Sequence, residues 1–279
     1  MKAVVNRILP FSSVDGPGNR TVIFFQGCNL DCKYCHNPET RNVCGHCGDC
    51  VNKCPTGALE KIDNKVIYFP QKCVECDTCI KTCKRGSSPK TKEMDAEEIF
   101  EVVKKQIPFI RGITVSGGEC SLYNQVVEEL FSLAKEEGLS TLMDTNGMIS
   151  LEDCPKLMEK TDGVMLDIKC FDEKQHQLVT GDTNSMVLKN AAYLAQIKKL
   201  DEVRMVIVPG LYDGRESVRK TGEFLSSFPE FHRIRIKLIA FRPMGVREEY
   251  SHYETPTTET LEEMKTLLEK MGFEKIILI

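Results

Sequence analysis

The chain has 279 residues, of which 41% are hydrophobic and 28% charged, a composition typical of a globular protein with a sizeable core. Its net charge of −4 lacks the basic excess that general nucleic-acid binding needs, and its longest apolar run is too short to span a bilayer. The first residues show no signal-peptide pattern. The sequence therefore predicts a cytoplasmic monomer that binds neither nucleic acid nor membrane.

Fourteen cysteines are the unusual feature of this composition. Disulfides would account for them in a secreted protein, but without an export signal the thiols are expected to stay reduced. Eleven of the cysteines lie between Cys28 and Cys83 at gaps of two or three residues. This clustering is typical of metal ligands.

Strand-like and helix-like segments alternate along most of the chain. A strand over residues 21–25 precedes the cysteine-rich stretch, and a helix then begins at the N-cap Asp95, with Glu98 three residues later. Further strands are predicted at 113–115, 141–143, 164–166, 203–208, 234–241 and 275–279, and helices at 124–137, 151–160, 187–199, 217–227 and 258–271. Such alternation predicts parallel strands with right-handed crossovers, in a partial (β/α)6 TIM-like barrel or a curved open sheet.

The loop after the first strand carries the motif C-x3-C-x2-C at Cys28, Cys32 and Cys35. One tight loop can hold three corners of a 4Fe–4S cluster, and this loop supplies no ligand for the fourth iron. An open position distinguishes a reactive metal centre from a structural one. The alternatives are a zinc knuckle and an electron-transfer cluster completed by a remote cysteine.

Two further runs, between residues 44 and 83, share the ferredoxin spacing C-x2-C-x2-C-x3-C. In such runs the fourth cysteine binds the cluster of the other run. The expected ligand sets are Cys44, Cys47, Cys50 and Cys83 for one 4Fe–4S cluster, and Cys73, Cys76, Cys79 and Cys54 for the other. Residues 41–89 are therefore predicted to form a metal-stabilised, ferredoxin-like insert in a barrel domain of residues 1–40 and 90–279.

Polar residues follow the predicted strands at their carboxyl ends, where parallel barrels carry catalytic groups. Each group alone is consistent with ordinary turn chemistry, but several groups on one rim favour a binding site. The candidates are Gly117, Gly118, Glu119, Asp144, Asp167, Lys169 and Arg204. The cysteines outside the motifs, which are Cys120, Cys154 and Cys170, are expected to be buried as small hydrophobic side chains.

The chain resembles the radical S-adenosylmethionine (radical SAM) enzymes, and among them the activating enzymes of glycyl radical enzymes, in particular the YjjW-type subgroup with a ferredoxin-like insert. The resemblance covers essentially the whole chain. It rests on the motifs Ser-Val-Asp-Gly-Pro-Gly-Asn-Arg at 13–20, Phe-Gln-Gly-Cys at 25–28, Tyr-Cys-His-Asn-Pro at 34–38, Ser-Gly-Gly-Glu at 116–119, Asp-Thr-Asn-Gly at 144–147, Leu-Asp-Ile-Lys at 166–169 and Val-Pro-Gly at 208–210.

The resemblance implies a role in SAM binding for the matching positions. Tyr34 is expected to contact the adenine, and residues 117–119 are expected to line the methionine end, where glycines let the backbone come close. Asp144 and Lys169 are expected to hold the amino and carboxylate groups. Arg204 is expected to support the ribose or the carboxylate.

Two further sites are implied by the same resemblance. A monovalent cation, sodium or potassium, is expected near Asp144 and Asp167, against the carboxylate of SAM. Asp15, Gly16 and Gly18 are expected to receive the glycine-bearing loop of the partner enzyme.

The implied reaction is reductive cleavage of SAM to methionine and a 5′-deoxyadenosyl radical, which takes a hydrogen atom from a backbone glycine of the partner. The implied cofactors are three 4Fe–4S clusters and SAM. The two clusters of the insert are expected either to carry electrons from flavodoxin or ferredoxin or to help dock the partner. Two alternatives stay open: a radical SAM enzyme that acts on a small molecule or peptide, and a non-catalytic multi-cluster electron carrier. Two positions depart from the family pattern, since Cys120 replaces a proline and Arg242 stands where some activases have a histidine.

Overall fold

The chain folds around one nine-stranded sheet, which the computed structural model describes together with the rest of residues 1–279. The strands are β1 (Ala3–Ser12), β2 (Arg20–Phe25), β3 (Leu59–Ile62), β4 (Lys65–Tyr68), β5 (Lys92–Met94), β6 (Gly112–Gly117), β7 (Ser140–Thr145), β8 (Gly163–Asp167), β9 (Leu200–Ile207), β10 (Arg235–Ala240) and β11 (Ile276–Leu278). The order in the sheet is β11-β10-β9-β8-β7-β6-β2-β1-β5, and β3 pairs with β4 in a separate hairpin.

Six strands of this sheet, β2 and β6 to β10, run parallel, which confirms the predicted alternating α/β topology. Strand β11 adds a seventh parallel strand beside β10, whereas β1 and β5 are antiparallel additions at the opposite edge. The sheet is open, because β5 and β11 each pair on one side only.

The helices connect the strands and pack outside the sheet. They are α1 (Thr78–Thr82), α2 (Ala96–Lys104), α3 (Asn124–Glu136), α4 (Pro155–Lys160), α5 (Glu173–Thr180), α6 (Ser185–Gln196), α7 (Gly214–Ser226) and α8 (Thr258–Lys270). None of them combines the length and the apolar character that crossing a membrane would require.

Two helices differ from the sequence predictions for local reasons. Helix α4 begins at Pro155 rather than near residue 151, because the residue before a proline is disfavoured in the helical region. Helix α5 was not predicted. It is short, the Asp172 side chain accepts from the backbone N–H of Gln175 at its start, and Gly181 ends it with a positive φ.

The two faces of the parallel strands carry different side chains. Outward-facing residues such as Val115 and Leu166 are fully buried in the main hydrophobic core against the helices. Inward-facing residues are largely polar and include Thr114, Asp144 and Arg204. The sheet therefore encloses a polar interior, which is where its chemistry must lie.

Between β2 and β5 the chain forms the β3–β4 hairpin, which is separate from the main sheet, and helix α1. The buried core of residues 41–89 consists of Cys50, Leu59, Val66 and Cys79. A core of two aliphatic residues and two cysteines is too small to stabilise a fold of this size by hydrophobic burial.

Helix α2 allows a direct test of the local analysis. Asp95 accepts from the backbone N–H of Glu98 at 2.9 Å, and the Glu98 carboxylate accepts from the backbone N–H of Asp95 at 3.0 Å, a complete capping box. Asp95→Ala is expected to cost about 1 kcal/mol and to lower the thermal midpoint by about 2–4 °C. Asp153→Ala, at an exposed turn residue, is the matched control, and equal midpoints for the two variants would contradict the assignment.

Candidate active site

A cavity of about 410 Å³ lies at the carboxyl ends of the parallel strands. It brings together residues that are spread over the sequence from β1 to β10. Those predicted from the sequence that line it are Cys28, Cys32, Tyr34, Cys35, Gly117, Gly118, Glu119, Asp144, Asp167, Lys169, Arg204 and Asp15. Gly16 and Gly18 do not line it.

The three cysteines of the first motif line a second, smaller cavity of about 70 Å³ that adjoins the large one. Burial raises the pKa of Cys28 to about 11 and that of Cys32 to about 12. The thiols are therefore protonated at neutral pH, and a metal that binds them must displace their protons. Three thiols in one loop are the donor set that fits an iron–sulfur cluster.

No fourth cysteine lines either of these two cavities. Cys120 is fully buried and donates to the backbone carbonyl of Asp144. Cys154 lies at the start of α4 and accepts from the Asn124 amide, while Cys170 is buried in another hydrophobic cluster. Cys120 and Cys170 are thus buried as expected, whereas Cys154 is only partly buried, and none of the three lines the cavities of the first motif.

Backbone contacts hold the cysteine loop from both sides. The amides of Asp31 and Lys33 donate to carbonyls at the end of α5. Arg247, in the segment after β10, donates to the carbonyls of Asp31 and Cys32 and forms an ion pair with Asp31 at 2.6 Å. Arg247 also lines the smaller cavity, and no sequence motif had identified it.

Gly117 and Gly118 allow β6 to approach the cysteine loop. A Cβ on Gly117, whose φ is +117°, would lie 2.3 Å from the carbonyl oxygen of Phe25. A Cβ on Gly118 would lie 2.2 Å from the carbonyl oxygen of Gly27. Both positions therefore require glycine, and the backbone they expose forms a cradle at the edge of the cavity.

Glu119 connects two neighbouring loops at the rim of the cavity. Its buried carboxylate accepts from the backbone N–H of Ser121 at 2.9 Å, from the Thr145 hydroxyl at 2.6 Å and from the backbone N–H of Asn146 at 2.7 Å. Glu119 thus links the loop after β6 to the loop after β7, in addition to lining the cavity.

Asp144 and Arg204 form an ion pair in the wall of the cavity. Arg204 Nη1 lies 2.7 Å from Asp144 Oδ2, and the Ser116 hydroxyl donates to the same oxygen at 2.8 Å. Burial raises the pKa of Asp144 to about 6, although the guanidinium of Arg204 opposes the shift. The carboxylate is thus close to a protonation change in the physiological range.

Glu202 supports Arg204 from below and was not found from the sequence. Its carboxylate is 1% exposed and accepts from Arg204 Nε at 2.6 Å, Lys237 Nζ at 2.9 Å and Arg235 Nη1 at 3.1 Å. One buried anion is therefore shared by three cations. The alternation of residues along a strand places Glu202 and Arg204 on the same face.

Lys169 and Tyr34 form another wall of the cavity. Lys169 Nζ lies 2.7 Å from Asp167 and 5.8 Å from the centre of the Tyr34 ring. Burial would lower the pKa of Lys169, but the Asp167 carboxylate outweighs that effect and raises it well above its usual value. The Tyr34 hydroxyl is buried without a hydrogen-bond partner, as expected of a group that bonds to a ligand.

Asp144 and Asp167 are each paired with a cationic side chain, and no group of three or more His, Cys, Asp or Glu side chains is arranged to hold a single metal ion. The monovalent cation inferred from the sequence therefore stays a prediction.

The segment at residues 15–18 is fixed at the amino ends of the strands. The Thr114 hydroxyl donates to the carbonyl of Asp15 at 2.7 Å, and the buried Arg20 guanidinium donates to the carbonyl of Pro17 at 3.3 Å. Gly16 has a φ of +121°, and a Cβ there would lie 2.5 Å from Leu142. These contacts point Asp15 into the cavity from the end opposite the cysteine loop.

In residues 41–89 the two cysteine runs have matching backbones. His46 and Glu75 are each the third residue of their run, and both have positive φ, as do Gly48 and Asp77 two residues later. Four of the predicted ligands line one cavity, namely Cys54, Cys73, Cys76 and Cys79.

In the other run, burial raises the pKa of Cys50 to about 11, and its thiol lies within electrostatic range of Cys44 and Cys47. No contact of the Cys83 thiol supports or contradicts its expected place in that ligand set.

Comparisons with known proteins agree with this geometry. The model of the radical SAM superfamily matches residues 22–225. The pyruvate formate-lyase-activating enzyme of Streptococcus mutans is 32% identical, with 98% of this chain and 93% of that protein covered. The choline trimethylamine-lyase activating enzyme of Oleidesulfovibrio alaskensis is 29% identical, with 88% and 85% covered. The crystal structure of QueE from Escherichia coli, 13% identical, covers 100% of this chain and 94% of its own, with a TM-score of 0.56.

A mostly parallel sheet with three cysteines in one loop at its carboxyl edge defines the class as radical SAM, whose members use SAM and a 4Fe–4S cluster. The chain belongs to the radical SAM superfamily and, within it, to the activating enzymes of glycyl radical enzymes.

The buried network below the site gives a test of its electrostatics. Glu202→Gln removes the anion that three cations share, and it is expected to cost about 3–5 kcal/mol and to lower the thermal midpoint by about 10 °C. The control is Glu101→Gln, which breaks an exposed pair with Lys104 and is expected to cost less than about 0.5 kcal/mol. A midpoint for Glu202→Gln within a degree of the control would show that the network does not stabilise the fold.

Proposed function

We propose that Cys28, Cys32 and Cys35 hold the 4Fe–4S cluster at which this activating enzyme cleaves SAM. Three thiols in one loop and the lack of a fourth cysteine in the adjoining cavities carry this proposal. When bound, the cluster and SAM supply one-electron cleavage of a sulfur–carbon bond and hence a radical that can remove a hydrogen atom from glycine. The remaining chemistry belongs to the side chains around them.

These side chains orient SAM and exclude water. The Tyr34 hydroxyl, buried without a partner, is available for the adenine, and the cradle of Gly117 and Gly118 takes the methionine end. Asp144 accepts from the amino group and Lys169 donates to the carboxylate. Arg204 keeps Asp144 in position, because its guanidinium is itself fixed by Glu202.

Asp15 is proposed to contact the substrate glycine segment. Its side chain lines the cavity at the end opposite the cysteines, where it can contact a reacting backbone that does not displace SAM. Gly16 and Gly18 do not line the cavity. Both have positive φ, so their proposed role is to shape the backbone of this segment. The cation near Asp144 and Asp167 remains part of the proposal, with the carboxylates as its ligands.

The insert is proposed to hold two further 4Fe–4S clusters with exchanged fourth ligands. The cavity that Cys54 shares with Cys73, Cys76 and Cys79 supports one of the two sets, and Cys44, Cys47, Cys50 and Cys83 make up the other. The clusters are proposed to carry electrons from flavodoxin or ferredoxin towards the active site. The YjjW-type subgroup stays a prediction from motifs.

The partner is proposed to be a glycyl radical enzyme of the kinds that the relatives' names give, pyruvate formate-lyase or choline trimethylamine-lyase. The test is anaerobic incubation of the reconstituted protein with dithionite, SAM and each candidate. A glycine doublet in the electron paramagnetic resonance spectrum of the partner is the expected result. Turnover of SAM without a doublet on any partner would favour a small-molecule or peptide substrate.

Cysteine variants separate the roles of the three clusters. Cys32→Ala is expected to abolish SAM cleavage while about two thirds of the iron is retained, because only the first cluster loses a ligand. Cys54→Ala is expected to lose iron from the insert and to keep dithionite-driven SAM cleavage without partner. Iron analysis and 5′-deoxyadenosine formation measure both effects, and the opposite pattern would exchange the assigned roles.

The pKa of Asp144 predicts how SAM binding depends on pH. Because that pKa is raised to about 6, Asp144 favours folding when protonated, and this contribution is lost as pH rises through about 6. SAM binding has the opposite dependence, since the amino group needs the carboxylate. The Kd for SAM is expected to rise as pH falls from about 7 to about 5.5, and Asp144→Asn should remove this dependence. If the Kd of Asp144→Asn for SAM changes with pH as that of the wild type does, Asp144 is not the titrating group.

A further inference from the structure

A groove of about 780 Å³ runs between the sheet and residues 41–89. One wall is formed by β1 and β5, and the other by strand β4 of the hairpin and the residues that follow it. Lys65 on β4 and Glu93 on β5 face each other across the groove at 3.6 Å. No function assigned above uses this groove.

The groove adjoins the active-site cavity. Asn6 and Arg7 on β1 line both spaces. The groove also reaches the cysteine sites of the insert, because Cys44 lines it and because Tyr68 and Lys90 line both the groove and the cavity around Cys54. One surface therefore adjoins the reacting centre and both cysteine runs.

The groove follows the free edge of β1. Strand β5 pairs only with residues Ala3, Val4 and Val5, so that from Asn6 onwards β1 has a neighbour only in β2. Five consecutive residues of β1, from Val4 to Ile8, line the groove, and the last three of them have no partner in β5. Because successive side chains point to opposite faces of a sheet, a groove lined by five in a row must run along the strand edge. An unpaired edge can accept an added strand.

The side chains that line the groove suit a polypeptide. Val43 is 41% exposed and Ile67 is 37% exposed, and both face into the groove. Its charged residues are Arg7, Lys65, Lys90, Lys92 and Glu93, an excess of basic groups. Exposed apolar side chains beside basic ones fit an extended segment that carries apolar and acidic residues.

We infer that this groove receives the segment of the partner glycyl radical enzyme that carries the reacting glycine, laid in extended form along the free edge of β1. The inference rests on the proposed function. A glycine inside a protein chain can reach the cavity only together with its neighbours, so the flanking residues need a continuous path to the outside. The groove is placed to supply that path, since Asn6 and Arg7 line both it and the cavity. A reductant protein needs only to approach a cluster and has no use for a groove that adjoins the cavity.

The test compares two substitutions in one hairpin. Ile67→Asp places a charge in the groove, whereas Ile62→Asp alters an isoleucine of similar exposure, 45%, that does not line it. Lys92→Glu on β5, which is the opposite wall, is a second groove variant, with Lys104→Glu on α2 as its control. Neither groove residue belongs to the proposed SAM or cluster sites.

Each variant is incubated anaerobically with dithionite, SAM and increasing amounts of pyruvate formate-lyase or choline trimethylamine-lyase. The groove variants are expected to need about tenfold more partner than the wild type for half-maximal glycyl radical. Formation of 5′-deoxyadenosine without partner should stay unchanged, as should both control variants. Slower amide hydrogen exchange at residues 6–8 on addition of partner is a further expected result.

If the groove variants need no more partner than the wild type for half-maximal glycyl radical, the inference is wrong. A defect that appears with flavodoxin and disappears with dithionite would also overturn it, because the groove would then bind the reductant. Failure of the proposed function looks different, since the wild-type protein itself would then give no glycine doublet.

Discussion

The close approach of two glycines to the cysteine loop is the contact on which the site depends. Gly118 donates to the carbonyl of Phe25, and the backbone of Glu119 donates to that of Gly27, so that the end of β6 is fixed directly beneath Cys28. A side chain at Gly117 or Gly118 would overlap this backbone. Because the contact is made by backbone atoms, it aligns the cysteine loop with the rim of the sheet without occupying the cavity.

Charge balance is the second condition that the cavity imposes. Charged groups inside a fold are costly unless they are paired and hydrogen-bonded. Here Asp144, Arg204 and Glu202 form a continuous chain of pairs, and Asp167 pairs with Lys169. The cavity can therefore present both a carboxylate and an ammonium group to a zwitterionic ligand, because each is already held by a partner.

The local sequence pattern was enough to predict the parallel strands and the polar residues at their carboxyl ends. The parallel strands are apolar and bounded by turns, and their carboxyl ends carry the polar residues that line the cavity. Strand β1 was missed because its register is irregular and because it includes Pro10, in the part of the strand that pairs only with β2. Arg247 was missed because its partners are remote in sequence, and Glu202 was missed because two of its three cationic partners lie on β10. Arg247 lies more than two hundred residues from Cys32, and no local period reports such a contact.

Residues 41–89 lie beside the open edge of the sheet, and their place in the chain explains why. Two of the four buried core residues among residues 41–89 are cysteines, so hydrophobic burial contributes little to the stability of this segment. It branches from the chain between the cysteine loop and β5, which forms the open edge of the sheet. Residues of this segment therefore flank the β5 edge of the sheet, where they line a groove together with β1 and β5. This placement brings Cys44 to a groove that adjoins the active-site cavity, and it makes strand β4 the wall of the groove opposite β1 and β5.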